Sequence, residues 1–293
     1  MNRLVLGTAQ LGMSYGINNK AGKPDLNAAR DIVRAALDNG ITRFDTAQAY
    51  GESEGVLGKI FHEIKASDHI KVYSKLRPDL DLSDGKAVRA SVDDSLRRLK
   101  INRLEGLLLH CEEGLKLWND GLGDSLTELV VAKKVKSIGV SFYTPKKALE
   151  ALDIYGIDLI QVPANILDRR FEDAGVFKKA GEFGKNVFVR SIFLQGLLLM
   201  PSNSVPAKMR NVLPYLERLE QMASDMKLSR QELVLGYAAG KWPDVFVLFG
   251  AESKQQVIDN AKVFAAKKIP EIDEAVFGNV PENVLNPVLW SKS

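Results

Sequence analysis

Cysteine is almost missing from this 293-residue chain, where Cys111 stands alone. That excludes an internal disulfide and a cysteine-built zinc site. Neither sign of charge dominates: 40 Lys and Arg face 37 Asp and Glu, for a net charge of +3. Charges so balanced and interspersed give no footing for nucleic acid or an anionic membrane as partner. No uninterrupted apolar run is long enough to span a bilayer. Met1-Asn2-Arg3-Leu4-Val5-Leu6-Gly7 enters a strand at once, so a secretory leader is not expected and the cytoplasm is the expected compartment. Low-complexity linkers, composition shifts and short-period repeats are also lacking, which favours one domain over residues 1–293. The Gly-x-Gly-x-x-Gly turn of an open doubly wound sheet is missing too. Gly7-Thr8-Ala9-Gln10-Leu11-Gly12 has the wrong spacing for it.

What the chain has is alternation. Short apolar runs at Leu4–Gly7, Ile41–Asp45, Ile70–Ser74, Leu104–His110, Lys136–Val140, Leu159–Val162, Val187–Ser191 and Val245–Gly250 are rich in Val, Ile and Leu without strict alternation. Parallel strands covered on both faces read this way. Helical patterns lie between them. Asn27 is expected to cap the first, with Ile32, Val33, Ala36 and Leu37 on one face and Asn39-Gly40 at its end. Another helix is expected over Glu172–Phe183. Eight such units predict a closed (β/α)8 TIM barrel. The polar, Pro-containing stretch Met200–Asn211 is expected to be a lid or cofactor-covering loop on the catalytic rim. The tail from Ile269 to Ser293 carries Phe277, Leu285 and Trp290, and is expected to pack over the barrel.

The strand ends carry the chemistry. Asp45 and Tyr50 follow the second strand, Lys75 the third and His110 the fourth, and a parallel barrel opens all these ends onto one face. A phenol is a poor proton donor while its pKa stays near ~10. A neighbouring Lys ammonium is expected to lower it, and an Asp to keep that Lys charged and in place. His110 would orient a substrate oxygen. Together the four suit protonation of a carbonyl oxygen as hydride reaches its carbon. Cys111 reads as a small hydrophobe beside His110.

The sequence resembles the aldo-keto reductase superfamily over nearly its whole length. Asp45-Thr46-Ala47-x-x-Tyr50-Gly51-x-Ser53-Glu54, Ser74-Lys75-Leu76, Leu107-Leu108-Leu109-His110 and Ile138-Gly139-Val140-Ser141-Phe142 are similar to its signature segments. The resemblance implies a nicotinamide dinucleotide as cofactor and Tyr50 as general acid. It assigns cofactor contacts to Gly7, Thr8, Asp45, Ser141, Gln161, Arg190, Ser191, Phe193, Gly196, Gly250, Glu252, Ser253, Gln256 and Asn260. Three positions depart from the family pattern. Phe142 replaces an Asn that would hold the carboxamide. Arg190 replaces a stacking aromatic and is expected to stack on the nicotinamide, the alternatives being that its charge favours an anionic substrate or alters the cofactor's redox balance. Glu252 stands where NADPH-selective relatives carry Arg; with Lys254 to offset it, NADPH is expected slightly ahead of NADH. The family's N-terminal hairpin is expected to be absent.

The implied activity is NAD(P)H-dependent reduction of an aldehyde, ketone or open-chain sugar. The partners implied are a small carbonyl substrate and, at most, a small homo-oligomer. No metal is expected. Gln10, Tyr143, Arg77, Arg169 and Arg170 are candidates for the pocket rim, although Arg169-Arg170 is better read as a salt-bridged loop. Two other classes stay open: a cofactor-binding regulatory or redox-sensing subunit, and a lyase or isomerase using Lys75 as a Schiff-base nucleophile.

Overall fold

The computed structural model describes residues 2–266 and 272–290. Eight parallel strands close into a barrel in sequence order: β1 (Leu4–Gly7), β2 (Arg43–Asp45), β3 (Lys71–Leu76), β4 (Gly106–Leu109), β5 (Ile138–Ser141), β6 (Leu159–Pro163), β7 (Asn186–Arg190) and β8 (Phe246–Gly250). β8 pairs back onto β1, with Gly7 opposite Gly250. The expected (β/α)8 architecture is present, with a helix in each connection between strands.

Period-two alternation fixes which side chains enter the barrel. Val5, Tyr73, Leu108, Leu159, Phe188 and Leu248 form a separate buried cluster inside it. Two residues further along the same strands come Gly7, Lys75, His110, Gln161, Arg190 and Gly250. The apolar layer is therefore a floor, and the next inward position on each strand faces the open end. Gly106 and Gly139 make room for that floor: a Cβ on Gly106 would lie 2.6 Å from the Tyr73 ring, and one on Gly139 2.4 Å from Leu159. The larger core lies between strands and helices, where Phe44, Phe61, Ile32, Leu57 and Phe171 are fully buried.

Several boundaries differ from the sequence reading. The Leu26–Asp38 helix is capped by Asp25, whose side chain accepts from Ala28 N, so Asn27 falls inside the first turn. Its end agrees: Gly40 takes φ +72°, a left-handed conformation open to Gly at no steric cost. The helix expected over Glu172–Phe183 is two pieces, Arg170–Asp173 and Val176–Glu182, separated by Gly175 at φ +80°. Leu104 makes only an isolated bridge to Val135, so β4 starts later than expected.

The tail folds back as expected. It runs through short turns at Glu274–Phe277, Glu282–Leu285 and Pro287–Leu289, burying Phe277, Val284, Leu285 and Trp290. Ile269 and Pro270, where it was expected to begin, and residues 291–293 lie outside the described residues. Met200–Asn211 is not a lid over the open end. It folds into short 3-10 turns held from behind, with Met200 O accepting from Arg230 and Lys208 Nζ donating to Trp290 O at 2.7 Å.

Candidate active site

Lys75 on β3 is 1% exposed, so its ammonium must find partners inside the protein. It donates to Asp45 Oδ1 at 2.6 Å, to Asp45 Oδ2, and to Thr46 O at 3.0 Å, and it reaches Tyr50 Oη at 3.5 Å. Gln161 Nε2 donates to the same Asp45 carboxylate at 3.0 Å. Burial pulls the Lys75 pKa below its ordinary value, and the Asp45 charge opposes that shift.

Tyr50 projects from the turn after β2. Its amide donates to Ala47 O, its carbonyl accepts from Ser53 N, and Gly51 closes the turn at φ +54°. Behind the turn runs a buried chain of hydroxyls. Thr46 Oγ1 donates to Ser53 Oγ at 3.0 Å, Ser53 Oγ to Thr8 at 2.9 Å, and Thr8 Oγ1 to Asp45 O at 2.9 Å. Gly12 packs directly on this turn, where a Cβ would stand 1.9 Å from Tyr50 O. The Tyr50 phenol is thus tied to the ends of β1 and β2.

Its acidity runs against the sequence expectation. Burial raises the Tyr50 pKa well above the ordinary phenol value, and the Asp45 charge raises it further, while Arg190 works the other way. Burial and the nearby carboxylate outweigh the pull of the Arg190 cation. The phenol is therefore firmly protonated at neutral pH.

His110 sits one residue past β4, edge-on to Tyr50 with ring centroids 5.8 Å apart. Burial, then the Lys75 and Arg190 charges, push its pKa down to about 4, so the imidazole is neutral at pH 7. Its Nδ1 is buried with no hydrogen-bond partner among the described residues.

A cleft of ≈ 520 Å³ opens above these four residues, a size suited to a small-molecule site. Of the residues assigned to catalysis or cofactor, Ser253 alone does not line it. Ser253 instead caps the Lys254–Ala265 helix, accepting from Gln256 N. Ser141 and Gln161 are neighbours across β5 and β6. At the β8 end, Gln256 Oε1 accepts from Glu252 N at 2.7 Å, and Asn260 accepts from Gln231. Phe142, where the amide partner was missing, is fully buried in the core. Arg190 lays its guanidinium over the Tyr143 ring at 4.2 Å.

Of the rim candidates, Gln10 and Tyr143 line the cleft. Arg77 pairs with Asp79, Arg169 with Glu274, and Arg170 with Asp168, so the loop reading of Arg169-Arg170 holds. Sequence reasoning missed Tyr15, Gln195, Gln231 and Val288, which also line the cleft. Gln195 carried one usable signal, its place in a polar interruption before Gly196. Ser191, Leu194 and Gln195 all take positive φ, a concentration of backbone strain beside the cleft. A cleft lined by polar side chains from several strand ends, with a strained loop at its side, fits a dinucleotide.

The aldo/keto reductase family model matches residues 3–276. The chain belongs to the aldo/keto reductase family. It is therefore an NAD(P)H-dependent oxidoreductase. It is 25% identical to L-glyceraldehyde 3-phosphate reductase of Escherichia coli (strain K12), over 92% of this chain and 87% of that one. Identity to aldo-keto reductase YhdN of Bacillus subtilis (strain 168) is 29%, over 59% of this chain and about half (53%) of the relative. The holo form of aldo-keto reductase AKR11C1 from Bacillus halodurans superposes with a TM-score of 0.73 at 23% identity, covering 93% of this reductase and 89% of that chain. Among the described residues, no helix is long and apolar enough to cross a membrane, and no cluster of metal-ligating side chains is present.

Proposed function

We propose that this reductase converts the carbonyl of a small aldehyde, ketone or open-chain sugar to an alcohol, with Tyr50 as general acid. The observation that carries this reading is the contact between Tyr50 Oη and Lys75 Nζ at 3.5 Å, with Lys75 itself held by Asp45 in a buried ion pair. The bound dinucleotide supplies hydride to the carbonyl carbon. The chain's own part is to place and protonate the oxygen. His110, neutral and lining the cleft, orients it; Tyr50 gives it a proton; Lys75 steadies the phenolate that is left. A phenol held protonated by burial suits reduction, since reduction starts from the acid form. Alcohol oxidation needs the base form and should gain as pH rises.

Ser141, Gln161, Ser191, Phe193 and Gly196 are the proposed contacts toward the nicotinamide end, and Gly250, Glu252, Gln256 and Asn260 toward the adenosine end. Lys75 and Arg190 are the cations lining the cleft among the described residues; Glu252, Gln256, Gln231 and Asn260 line the other end. A carboxylate without a cation beside it disfavours a 2′-phosphate and can accept from a ribose hydroxyl. NADH is therefore the better fit, against the expectation of NADPH. The cytoplasm and a single domain over 1–293 stay part of this reading. Lys75 has its donors engaged by Asp45, Thr46 and Tyr50, which speaks against a Schiff base. Burial and the Glu113 and Glu112 charges push the Cys111 thiol up, which speaks against redox sensing.

The test is steady-state turnover of an aldehyde panel with NADH and NADPH. NADH should give the larger kcat/KM. Tyr50→Phe should bind cofactor as the parent does while kcat falls about 10²- to 10⁴-fold; retained turnover would exclude Tyr50 as the acid.

A further inference from the structure

We propose that Arg190 anchors an anionic group on the substrate, so that the preferred substrates are small carbonyl compounds bearing a carboxylate or a phosphate. The proposal rests on the reductase reading and narrows it to a substrate class.

The first argument is charge balance. The ionised side chains lining the cleft are Asp45, Lys75, Arg190 and Glu252. Asp45 and Lys75 cancel as a buried pair. The Arg190 charge bears on Tyr50, Lys75 and His110, whereas Glu252 is raised by burial alone. Arg190 is thus the uncompensated charge of the catalytic end, and no carboxylate among the described residues pairs with it.

The second argument is geometry. A guanidinium has five N–H donors. Arg190 uses Nη1 toward Ser191 Oγ and Nη2 toward Phe142 O, both at a long 3.3 Å. Stacking on Tyr143 at 4.2 Å fixes the plane of the fork but satisfies none of its N–H groups. A planar fork held flat, half-buried and short of acceptors matches a carboxylate or phosphate edge. Its place at the end of β7 is two residues beyond Phe188 in the barrel floor, the same inward row that carries Lys75 and His110. The anion would therefore be close to the carbonyl being reduced. Tyr143 and Tyr15 line the same cleft and can add hydroxyl donors.

The cofactor's own phosphates are the other source of negative charge in this cleft, and the experiment separates them. Compare 4-carboxybenzaldehyde and 4-formylphenyl phosphate with the neutral 4-formylbenzamide in the parent, Arg190→Met and Arg190→Lys. The ratio of kcat/KM for either anion to that for the amide should fall about 10- to 100-fold in Arg190→Met, chiefly through KM, with partial recovery in Arg190→Lys. An unchanged ratio overturns the proposal. So does an equal loss on all three aldehydes that follows a weaker cofactor Kd, which would assign Arg190 to the dinucleotide. Calorimetric titration with benzoate and benzamide, which are not reduced, keeps the two readings apart. Absent turnover with Arg190-dependent benzoate binding would refute the reductase reading and uphold the anion site. Turnover without charge discrimination would do the reverse.

Discussion

Replacing Asp45 by Asn removes one charge and almost no volume, which makes it a sharp probe of the buried pair. Lys75 would keep its ammonium at 1% exposure while losing its carboxylate partner. Breaking a buried pair from one side costs about 3–5 kcal/mol. The structure also sets a ceiling. Lys75 can shed its proton, and from an ordinary value of 10.5 that costs about 5 kcal/mol at pH 7, at ~1.4 kcal/mol per pH unit. Against a total stability of roughly 5–15 kcal/mol, a loss of this size is severe. Urea denaturation followed by tryptophan fluorescence reads it. The sign of the pH dependence is fixed as well. An unpaired buried lysine has a folded pKa below its unfolded one, so the unfolded chain binds the extra proton and the deficit shrinks as pH climbs toward 10. Adding Lys75→Met should recover much of the loss, because a neutral pair leaves no stranded charge, while reductase activity stays low. A loss under about 1 kcal/mol in Asp45→Asn, or a double variant no more stable than the single, would refute the reasoning.

Two further outcomes follow from the same geometry. His110, with a folded pKa of about 4 against an ordinary 6.5, supports the fold above pH 6.5. That support is lost as pH falls from 6.5 toward 4, by about 2 kcal/mol once its partial exposure is discounted; His110→Gln should flatten the stability profile in that window, and an NMR titration near 6.5 would contradict the assignment. Gly12→Ala should lower both the unfolding midpoint, by about 1–3 kcal/mol in stability, and kcat, because the new methyl meets Tyr50 O and Ser53 N; unchanged kinetics would mean that the Tyr50 turn is free to shift.

The barrel was legible because most strands announce themselves as Val, Ile and Leu clusters between turn residues. The ends were less so: Leu104 is as apolar as Leu107, and only the pairing with β3 and β5 decides where β4 begins. Asp25 outcompeted Asn27 as cap because the chain enters the helix extended at Asp25, a backbone fact that composition does not carry. Asp45, Tyr50, Lys75 and His110 were readable from local motifs. Tyr15, Gln231 and Val288 were not, since they join the cleft only when the loop after β1, the Arg230–Lys241 helix and the tail meet. The acidity of Tyr50 was misjudged for a related reason. Proximity to a lysine can be inferred from strand order, but burial, which outweighs it, cannot.

The two rows of inward side chains divide the molecule's tasks along each strand. The lower row, from Val5 to Leu248, holds the barrel open against collapse. The upper row, two residues on, lines the cleft. Because the rows are offset by one pleat, a residue facing the cleft can change its chemistry without disturbing the layer that sets the barrel's shape. Arg190 is therefore a position where this reductase can be retuned for another substrate at little structural risk. Lys75 and Gln161 are exceptions, because their shared partner Asp45 makes them part of the core as well as of the cleft.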